Sequence, residues 1–304
     1  MMPQVGAAPD PSRTIAVTGA SGVLGGRVAA RLSATGAPLR LVVRDAARAP
    51  SLAGAEVAEA PGGYADGEGL QAALAGADTV YLVSAAEARD RLEQHRTAVA
   101  AAAAAGVRRI VYTSFVGASP SATFTLARQH AATEDAIAAT GLRATVLRHG
   151  MYADFVPFFA TLQDGVAVIA APGGEGRTGF VSRDDLADVA AAVLLRDDEE
   201  LAGRTLDVTG PEALTLAEAA AVLAELTGRP AEYRGQTVEQ AWATRRPSGH
   251  PDWEIEGWVS SYLAIATGEL SPVTDVVPRL TGHPARTVAE HLRAHPEDWA
   301  HLRA

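Results

Sequence analysis

The chain has 304 residues, of which 48% are hydrophobic and 20% charged, enough apolar material for a large core. Its 26 basic and 36 acidic side chains give a net charge of −10, which argues against a nucleic-acid-binding surface. The sequence contains no cysteine, lysine or asparagine. Disulfides, thiolate metal ligands, cysteine nucleophiles and lysine Schiff bases are therefore excluded.

Residues 1–12 contain several prolines and alanines and show no hydrophobic periodicity, so they are expected to form a flexible lead. They lack the order of basic and then apolar residues that marks a signal peptide. No apolar stretch approaches the roughly 20 residues that span a bilayer. The sequence therefore predicts a cytoplasmic protein without a membrane span.

From residue 14 to residue 147, short apolar segments alternate with segments of helical periodicity. The predicted strands are 14–18, 39–43, 79–83, 110–113 and 144–147. The predicted helices are 26–34, 69–75, 92–105 and 125–139. Strands that are apolar almost throughout and alternate with helices indicate an α/β fold, a doubly wound parallel sheet of Rossmann type.

Beyond about residue 150 the alternation weakens, which predicts a smaller C-terminal α/β lobe that binds the substrate. Three elements can still be identified: a helix within 181–195 capped by Ser182, a strand at 205–209, and a helix at 215–227. The expected domains are a Rossmann domain at 13–155, to which 181–209 returns, and the substrate lobe at 156–304.

The turn after the first predicted strand reads VTGASGVLGG from Val17 to Gly26. Gly19 permits a tight turn off the strand, Gly22 leaves room for a pyrophosphate, and Gly25 lets the next helix pack close to the sheet. The first N–H groups of that helix and its dipole favour a phosphate group. The alternative is a glycine-rich turn that holds no ligand.

Several segments resemble the short-chain dehydrogenase/reductase superfamily, namely TGASGVLG at 18–25, VVRD at 42–45, ALAGADTVYLVS at 73–84 and RRIVYTS at 108–114. Others are similar to its atypical NmrA-like branch, near type 2 NAD(P)H:quinone oxidoreductases and triphenylmethane reductases: HAATED at 130–135, LRHGMY at 147–152, SRDDLADVAAAVL at 182–194 and VTGPEALTLAEAA at 208–220. The resemblance implies NAD(P) binding on a Rossmann fold and an oxidoreductase activity.

Arg44 lies at the end of the second strand, where an NAD-preferring enzyme would place a carboxylate against the ribose hydroxyls. An arginine there can instead bind the 2′-phosphate of NADP(H), which is the preferred cofactor. Asp45 follows and could serve the ribose of NAD(H), and Arg44 would then be an ordinary solvated charge. The resemblance implies a cofactor-binding set of Gly19, Ser21, Gly22, Val23, Leu24, Gly25, Arg44, Val83, Ser84, Thr113 and His130. Members of these families usually carry an aspartate near the adenine, but this chain has GGYAD at 62–66 there.

Typical superfamily members use a Tyr-x-x-x-Lys pair to pass a proton to the substrate oxygen, but here the corresponding residues are Leu126 and His130. Hydride donation to a flat conjugated acceptor, such as a quinone or a cationic dye, needs no such pair when its reduced form takes a proton from water. One alternative is a non-enzymatic NAD(P)-binding redox sensor that reports to a protein partner. Another is a biosynthetic ketoreductase or dehydratase with unusual catalytic groups.

The candidate catalytic residues are His130, Tyr152 and Ser114. His130 would bind near the nicotinamide ribose or act as an acid–base group with a pKa near 6.5, or it is a half-buried helix residue with a local partner. Tyr152 would contact substrate or pack in the core. Thr113 and Ser114 end a central strand at the edge where such sheets bind ligands.

The segment 242–258 contains Trp242, Trp253 and Trp258 around His250 and is expected to be the core of the small lobe, or else an aromatic lid over a flat substrate. Phe155, Phe158 and Phe159 carry the same alternatives. The eight histidines form no recognisable metal set, and His291 and His295 are expected on a mostly polar terminal helix. The expected partner is a small aromatic substrate, and the expected state is a monomer or homodimer.

Overall fold

A computed structural model describes residue 10, residues 12–196 and residues 200–303 of the chain, so most of the predicted lead at 1–12 lies outside the described residues. The strands are β1 (Ile15–Thr18), β2 (Leu39–Val43), β3 (Ala55–Glu59), β4 (Thr79–Leu82), β5 (Arg109–Phe115), β6 (Arg143–His149), β7 (Ala160–Gln163), β8 (Val166–Ala171), β9 (Arg177–Thr178), β10 (Arg204–Val208), β11 (Leu214–Thr215) and β12 (Ala231–Gly235). The α-helices are α1 (Val23–Ala34), α2 (Gly67–Leu74), α3 (Arg91–Ala104), α4 (Thr125–Ala139), α5 (Arg183–Leu195), α6 (Leu216–Thr227), α7 (Val238–Arg245), α8 (Asp252–Ala266), α9 (Val276–Thr281) and α10 (Val288–Ala294).

Seven strands form one parallel sheet in the order β3-β2-β1-β4-β5-β6-β10. Within it Val17 of β1 pairs with Leu41 on one side and with Tyr81 on the other. The strand order therefore reverses between β1 and β4. In an open α/β sheet this reversal leaves a crevice at the carboxyl ends of the strands, where ligands bind.

Helices cover both faces of this sheet, which explains why its central strands are apolar throughout. One apolar cluster joins α1, α5 and α9 to the strands, and the opposite cluster contains residues of α2, α3 and α4. In the alanine-rich α3, Ala98, Ala101 and Ala102 are buried. Small side chains let this helix approach the sheet and its neighbours closely, and the alanine run is a packed helix.

A smaller sheet, β12-β8-β7, follows the main one, with β8 parallel to β12 and antiparallel to β7. Its core includes residues of α6, α8 and α10. The α6 helix begins with a capping box between Thr215 and Glu218 and ends at Gly228, which has a left-handed φ of +67°. These are the start and stop signals that the sequence carries.

The predicted strands and helices up to residue 147 are confirmed, with ends that shift by three residues or fewer. The edge strand β3 was missed because it pairs on one side only, and Glu56 and Val57 are exposed there. β10 joins the main sheet beside β6, and α5 packs on α1. The chain returns to this layer once more at α9, where Val276 and Val277 pack into the same apolar cluster as α5. Across the described ranges, no helix has the length and apolar character that membrane crossing requires.

Candidate functional site

A first cavity of about 550 Å³ opens at the carboxyl ends of β1, β2 and β4, beside the strand-order reversal. Its wall is built from the turn after β1, the end of β2 with the following turn, the segment 60–65, and the loop 83–88 after β4. Loops of four neighbouring elements thus converge on one concave surface.

The glycine turn forms one side of the first cavity. Gly19 has a φ of +61°, which favours glycine, and a Cβ on Gly25 would collide with the backbone carbonyl of Gly19. The helical hydrogen bonds of α1 begin with Gly26 N–H donating to Gly22 C=O at 2.8 Å. The N–H groups of Val23, Leu24 and Gly25 therefore precede the helical hydrogen bonds and are placed as anion donors.

Two members of the predicted cofactor set, Val23 and Leu24, can offer only their backbone to a ligand in this cavity. The side chain of Val23 is 55% exposed and that of Leu24 is buried in the core, and neither lines the cavity. Gly19, Ser21 and Gly22 line the cavity directly.

At the other end of the first cavity, Arg44 and Arg48 both line the wall. The carboxylate of Asp45 accepts the Ala47 N–H at 3.0 Å, capping a short 3₁₀ turn, and does not line the cavity. This end is therefore positively charged. Arg48 was missed by the sequence reasoning because nothing in its local pattern shows that the 3₁₀ turn brings it beside Arg44.

Tyr64 ties the segment after β3 to the ends of β1 and β4. Its hydroxyl donates to Val83 C=O at 2.6 Å and lies 2.5 Å from Thr18 Oγ1. The carboxylate of Asp66 accepts the Gly69 N–H at 3.0 Å as the N-cap of α2. Asp66 is thus committed to capping its helix, and the wall at this end is formed by Ala60, Gly62, Gly63, Tyr64, Ala65 and Leu70.

The loop after β4 supplies Val83, Ser84 and the segment 85–88 to the first cavity. Val83 N–H donates to Thr18 Oγ1 at 3.0 Å, and Ser84 N–H donates to Thr113 Oγ1 at 2.6 Å. Thr113 itself is buried and does not line the cavity. Its hydroxyl therefore acts on the site by fixing the backbone of Ser84.

A second cavity of about 950 Å³ adjoins the first. Its aromatic wall contains Phe124, Phe155, Phe158, Phe159, Trp258 and Tyr262. Two guanidinium groups also line it, from Arg234 and Arg245. Among the residues that the structure describes, Glu87 alone lines both cavities, so the two spaces meet at the loop after β4.

The tryptophan segment divides between the two alternatives that the sequence left open. Trp242 and Trp258 pack against the buried cluster of Ala241, Ile255 and Val259, which makes them part of a small core. Trp258 also lines the second cavity, and Trp253 lines a side cavity of about 380 Å³. The segment is a core whose outer face walls the cavities.

His130 lies at the centre of a buried polar network. Its Nε2 is 3.0 Å from a guanidinium nitrogen of Arg91, and its Nδ1 is 2.8 Å from the hydroxyl of Tyr112. Because arginine only donates, Nε2 must accept and Nδ1 carries the proton. His130 is therefore neutral, with both ring nitrogens committed to protein partners.

This environment corrects the expectation of an ordinary pKa for His130. Burial, followed by the positive charge of Arg91, lowers the pKa of His130 well below its usual value. The ring is 6% exposed and does not line the described cavities. The geometry is that of the second alternative, a helix residue with local partners.

The network nevertheless reaches the wall of the first cavity. Arg91 Nε donates to Ala85 C=O at 2.8 Å, and His95 Nε2 accepts the Ala85 N–H at 2.8 Å. Ala85 lines the first cavity. Arg91 and His95 therefore fix the backbone of the loop after β4, and His130 supports that arrangement through Arg91.

The other two candidate catalytic residues also lie away from the cavities. Ser114 is buried and donates its hydroxyl proton to Glu134, which pairs with Arg148. The hydroxyl of Tyr152 is 3.2 Å from His149 Nδ1, and its ring stacks on Phe155. Neither side chain is among the described cavity-lining residues, whereas Phe155 is.

His291 lies on the terminal helix α10, as expected, and its side chain is fully buried. Its Nδ1 is 2.8 Å from Ser182 Oγ, and its Nε2 faces Asp154 at 3.3 Å and Asp298 at 3.5 Å. Asp154 also pairs with Arg183 at 2.9 Å. These contacts join α10 to the start of α5. They could not be found from spacing, since the partners come from distant segments.

The parallel sheet, the glycine turn and the arginine-lined cavity define a nucleotide-binding α/β protein of Rossmann type. A model of the NmrA-like family matches residues 11–247. The chain belongs to the NmrA-like family, as the sequence resemblance implied.

Three relatives match nearly the whole chain. An NAD(P)H azoreductase of Xenophilus azovorans is 31% identical over 281 residues, covering 92% of this chain and 97% of the relative. Quinone oxidoreductase 2 of Escherichia coli is 33% identical over 282 residues, covering 91% and 97%. Its solved structure with NADPH superposes with a TM-score of 0.82 at 32% identity, covering 92% of this chain and 99% of the other.

The third relative is the triphenylmethane reductase of Citrobacter sp., solved with NADP(H). It superposes with a TM-score of 0.79 at 30% identity and covers 92% of this chain and 99% of its own. Because named oxidoreductases match more than nine-tenths of its length at this similarity, the chain is an NAD(P)H-dependent oxidoreductase.

Proposed function

We propose that the chain binds NADP(H) in the first cavity and transfers hydride directly to a flat conjugated acceptor, such as a quinone, in the second. The proposal rests on one observation, that the two cavities adjoin at Glu87, which lines both. A dinucleotide and an acceptor in these spaces would face each other across that junction. Such juxtaposition is the main requirement of direct hydride transfer.

The residues of the first cavity fit a phosphorylated dinucleotide. The α1 N-terminus offers backbone donors and a positive dipole end to a pyrophosphate, and Gly19, Ser21 and Gly22 line the space beside it. Arg44 and Arg48 suit the 2′-phosphate of NADP(H). The carboxylate that NAD(H) would require is missing from this wall, since Asp45 caps its own turn.

When bound, the reduced nicotinamide supplies the hydride. The protein orients the acceptor through the aromatic wall of the second cavity, where Phe159 and Tyr262 pack edge to face at 5.3 Å between ring centroids. Flat aromatic surfaces favour flat conjugated ligands. Leu126 and His130 stand where the superfamily carries its Tyr-Lys pair, so the chemistry must suit an acceptor that needs no such pair.

The names of the relatives support this acceptor class, because they are reductases of azo compounds, quinones and triphenylmethane dyes. The three classes share conjugated π-systems that accept electrons. A second cavity of about 950 Å³ is large enough for a multi-ring acceptor of this kind.

The experiment is to follow NADPH consumption by the purified chain with a quinone, an azo dye, a cationic triphenylmethane dye, an enone and a simple ketone. We expect turnover with the first three and none with the ketone. Tight NADPH binding without consumption in any reaction would contradict the proposal and favour a redox sensor. Turnover confined to the ketone would favour a ketoreductase.

A further inference from the structure

We infer that Glu87 is the catalytic acid that protonates the acceptor during its reduction, an inference that rests on the proposed function. Glu87 is the described residue that lines both cavities, and its side chain is exposed to them. A proton donor must reach the atom of the acceptor that gains charge as hydride arrives. The junction of the two cavities is where that atom would lie.

Burial raises the pKa of Tyr262, which also lines the second cavity, so its hydroxyl is a weaker acid still. Three further protonatable groups nearby are committed to protein partners. His130 is neutral, with both ring nitrogens engaged by Arg91 and Tyr112. The Ser114 hydroxyl donates to Glu134, and the Tyr152 hydroxyl contacts His149. Among the described residues lining the second cavity, Glu87 is the one that carries a carboxyl group.

The surroundings of Glu87 come from two helices. On α8, Glu254 brings a like charge and Trp258 lines the second cavity together with Glu87, while Arg91 of α3 brings the opposite charge. Glu254 itself pairs with His250 at 3.1 Å. The surrounding protein desolvates the carboxyl, and this effect, followed by the charge of Glu254, raises the pKa of Glu87. A raised pKa suits a general acid.

Reduction of a quinone to a hydroquinone requires one hydride and one proton, which come from different donors. The quinone takes a hydride, with its electron pair, from the C4–H bond of the reduced nicotinamide. A quinone oxygen takes the proton of the Glu87 carboxylic acid as that O–H bond breaks, and the carboxylate regains a proton from solvent. Overall, the quinone gains one hydride and one proton and becomes a hydroquinone, and NADPH is oxidised to NADP⁺.

A cationic triphenylmethane dye provides an internal control, because its central carbon takes a hydride and the product needs no proton. Glu87→Gln keeps the size of the side chain and removes the acid. We expect kcat for the quinone to fall by about a hundredfold or more, the range typical of a general acid. At saturating dye, the fall in kcat for the dye should be far smaller than the fall for the quinone.

Two further readouts and a control variant separate acid catalysis from a structural effect. NADPH affinity, measured by calorimetry without an acceptor, should change far less in Glu87→Gln than kcat for the quinone does. The second readout is a pH titration of tryptophan fluorescence without cofactor, carried out in a His250→Gln background because His250 packs on Trp258. In that background, Glu87→Gln should remove the part of the titration that Glu87 causes at Trp258. Glu225→Gln, a remote exposed partner of Arg293 on α6, is the matched control and should behave like the parent chain in every assay.

The pH profile of the parent chain gives a test without any variant at Glu87. Quinone reduction should decline as pH rises through the pKa of Glu87, while dye reduction should not. Glu254→Gln should move this decline to lower pH, because removing the like charge lowers the pKa of Glu87. Equal losses with quinone and dye in Glu87→Gln, or no loss with quinone, would overturn the inference. Inactivity of the parent chain toward both acceptors would instead remove the proposed function, and the inference with it.

Discussion

Acid should destabilise this protein through three buried histidines, and His130 offers the sharpest test. Burial lowers the pKa of His95 and His149 to about 3, and that of His130 well below its usual value. Between these values and about 6.5, the unfolded chain binds more protons than the folded chain, so the free energy of unfolding falls as pH falls. A histidine that stays neutral in the folded chain at pH 5 lowers the free energy of unfolding by RT ln(1 + 10^1.5), about 2 kcal/mol.

The comparison that isolates His130 is the change in unfolding free energy between pH 7.5 and pH 5, measured by urea denaturation in the parent chain and in His130→Gln. The parent should lose more free energy of unfolding than the variant, by at most about 2 kcal/mol, the limit for a ring that stays neutral at pH 5. His250→Gln, the same exchange at an exposed position, is the control for the substitution itself. His295 opposes the trend in both proteins, because hydrogen bonds to Asp184 and Glu297 outweigh partial desolvation and raise its pKa.

Identical pH dependence in the parent and His130→Gln would refute this reasoning, since it would mean that His130 takes up a proton as easily when folded as when unfolded. The same geometry has a kinetic consequence. A glutamine can still accept from Arg91, so His130→Gln should reduce turnover modestly and leave the pH profile unchanged. A lost titration in the profile would instead identify His130 as an acid–base group.

Three further predictions concern the cavity walls. Arg44→Ala should weaken NADPH binding about 10- to 150-fold and leave NADH binding unchanged, because it removes charge-assisted hydrogen bonds of about 1.5 to 3 kcal/mol to the 2′-phosphate. Calorimetry with both cofactors measures this, and an equal loss of affinity for both would contradict it. Gly22→Val should abolish NADPH binding while the circular dichroism spectrum is kept, because the branched side chain fills the pyrophosphate space; a folded variant that binds would show that the turn holds no phosphate. Arg245 lines the second cavity and donates to the carbonyls of Ala170 and Ala241, with no carboxylate among its described hydrogen-bond partners. Arg245→Gln should therefore raise KM more for an acceptor that bears a sulfonate than for its neutral analogue. Equal effects on both acceptors would remove this role.

The sequence predicted the Rossmann core well because each of its signals is local. Apolar β-branched runs, helical periodicity and the VTGASGVLGG turn each reflect what a few neighbouring residues require of the backbone. The edge strand β3 escaped because one-sided pairing imposes no apolar pattern. In the small sheet, β7 and β8 are short neighbouring strands, and β12 pairs with β8 across a segment that contains α5 and α6, so no local pattern shows this pairing.

The wall of the first cavity was predictable where a motif fixes backbone geometry, as at Gly19, Gly22 and Arg44. It was not predictable where tertiary contacts decide the role. Nothing local to His130 shows that Arg91 will occupy its Nε2, and nothing local to Glu87 shows that two cavities will meet there. Family position suggested a ribose-binding histidine, whereas packing made it a support for the loop after β4.

The most direct test of direct hydride transfer uses NADPH deuterated at both C4 positions and a cationic triphenylmethane dye. The dye accepts hydride at its central carbon, and the resulting C–D bond does not exchange with water. The account predicts that the purified chain consumes one NADPH for each dye and that mass spectrometry finds one deuterium at the central carbon of the product. A product that carries protium there, or NADPH that binds without being consumed, would contradict it.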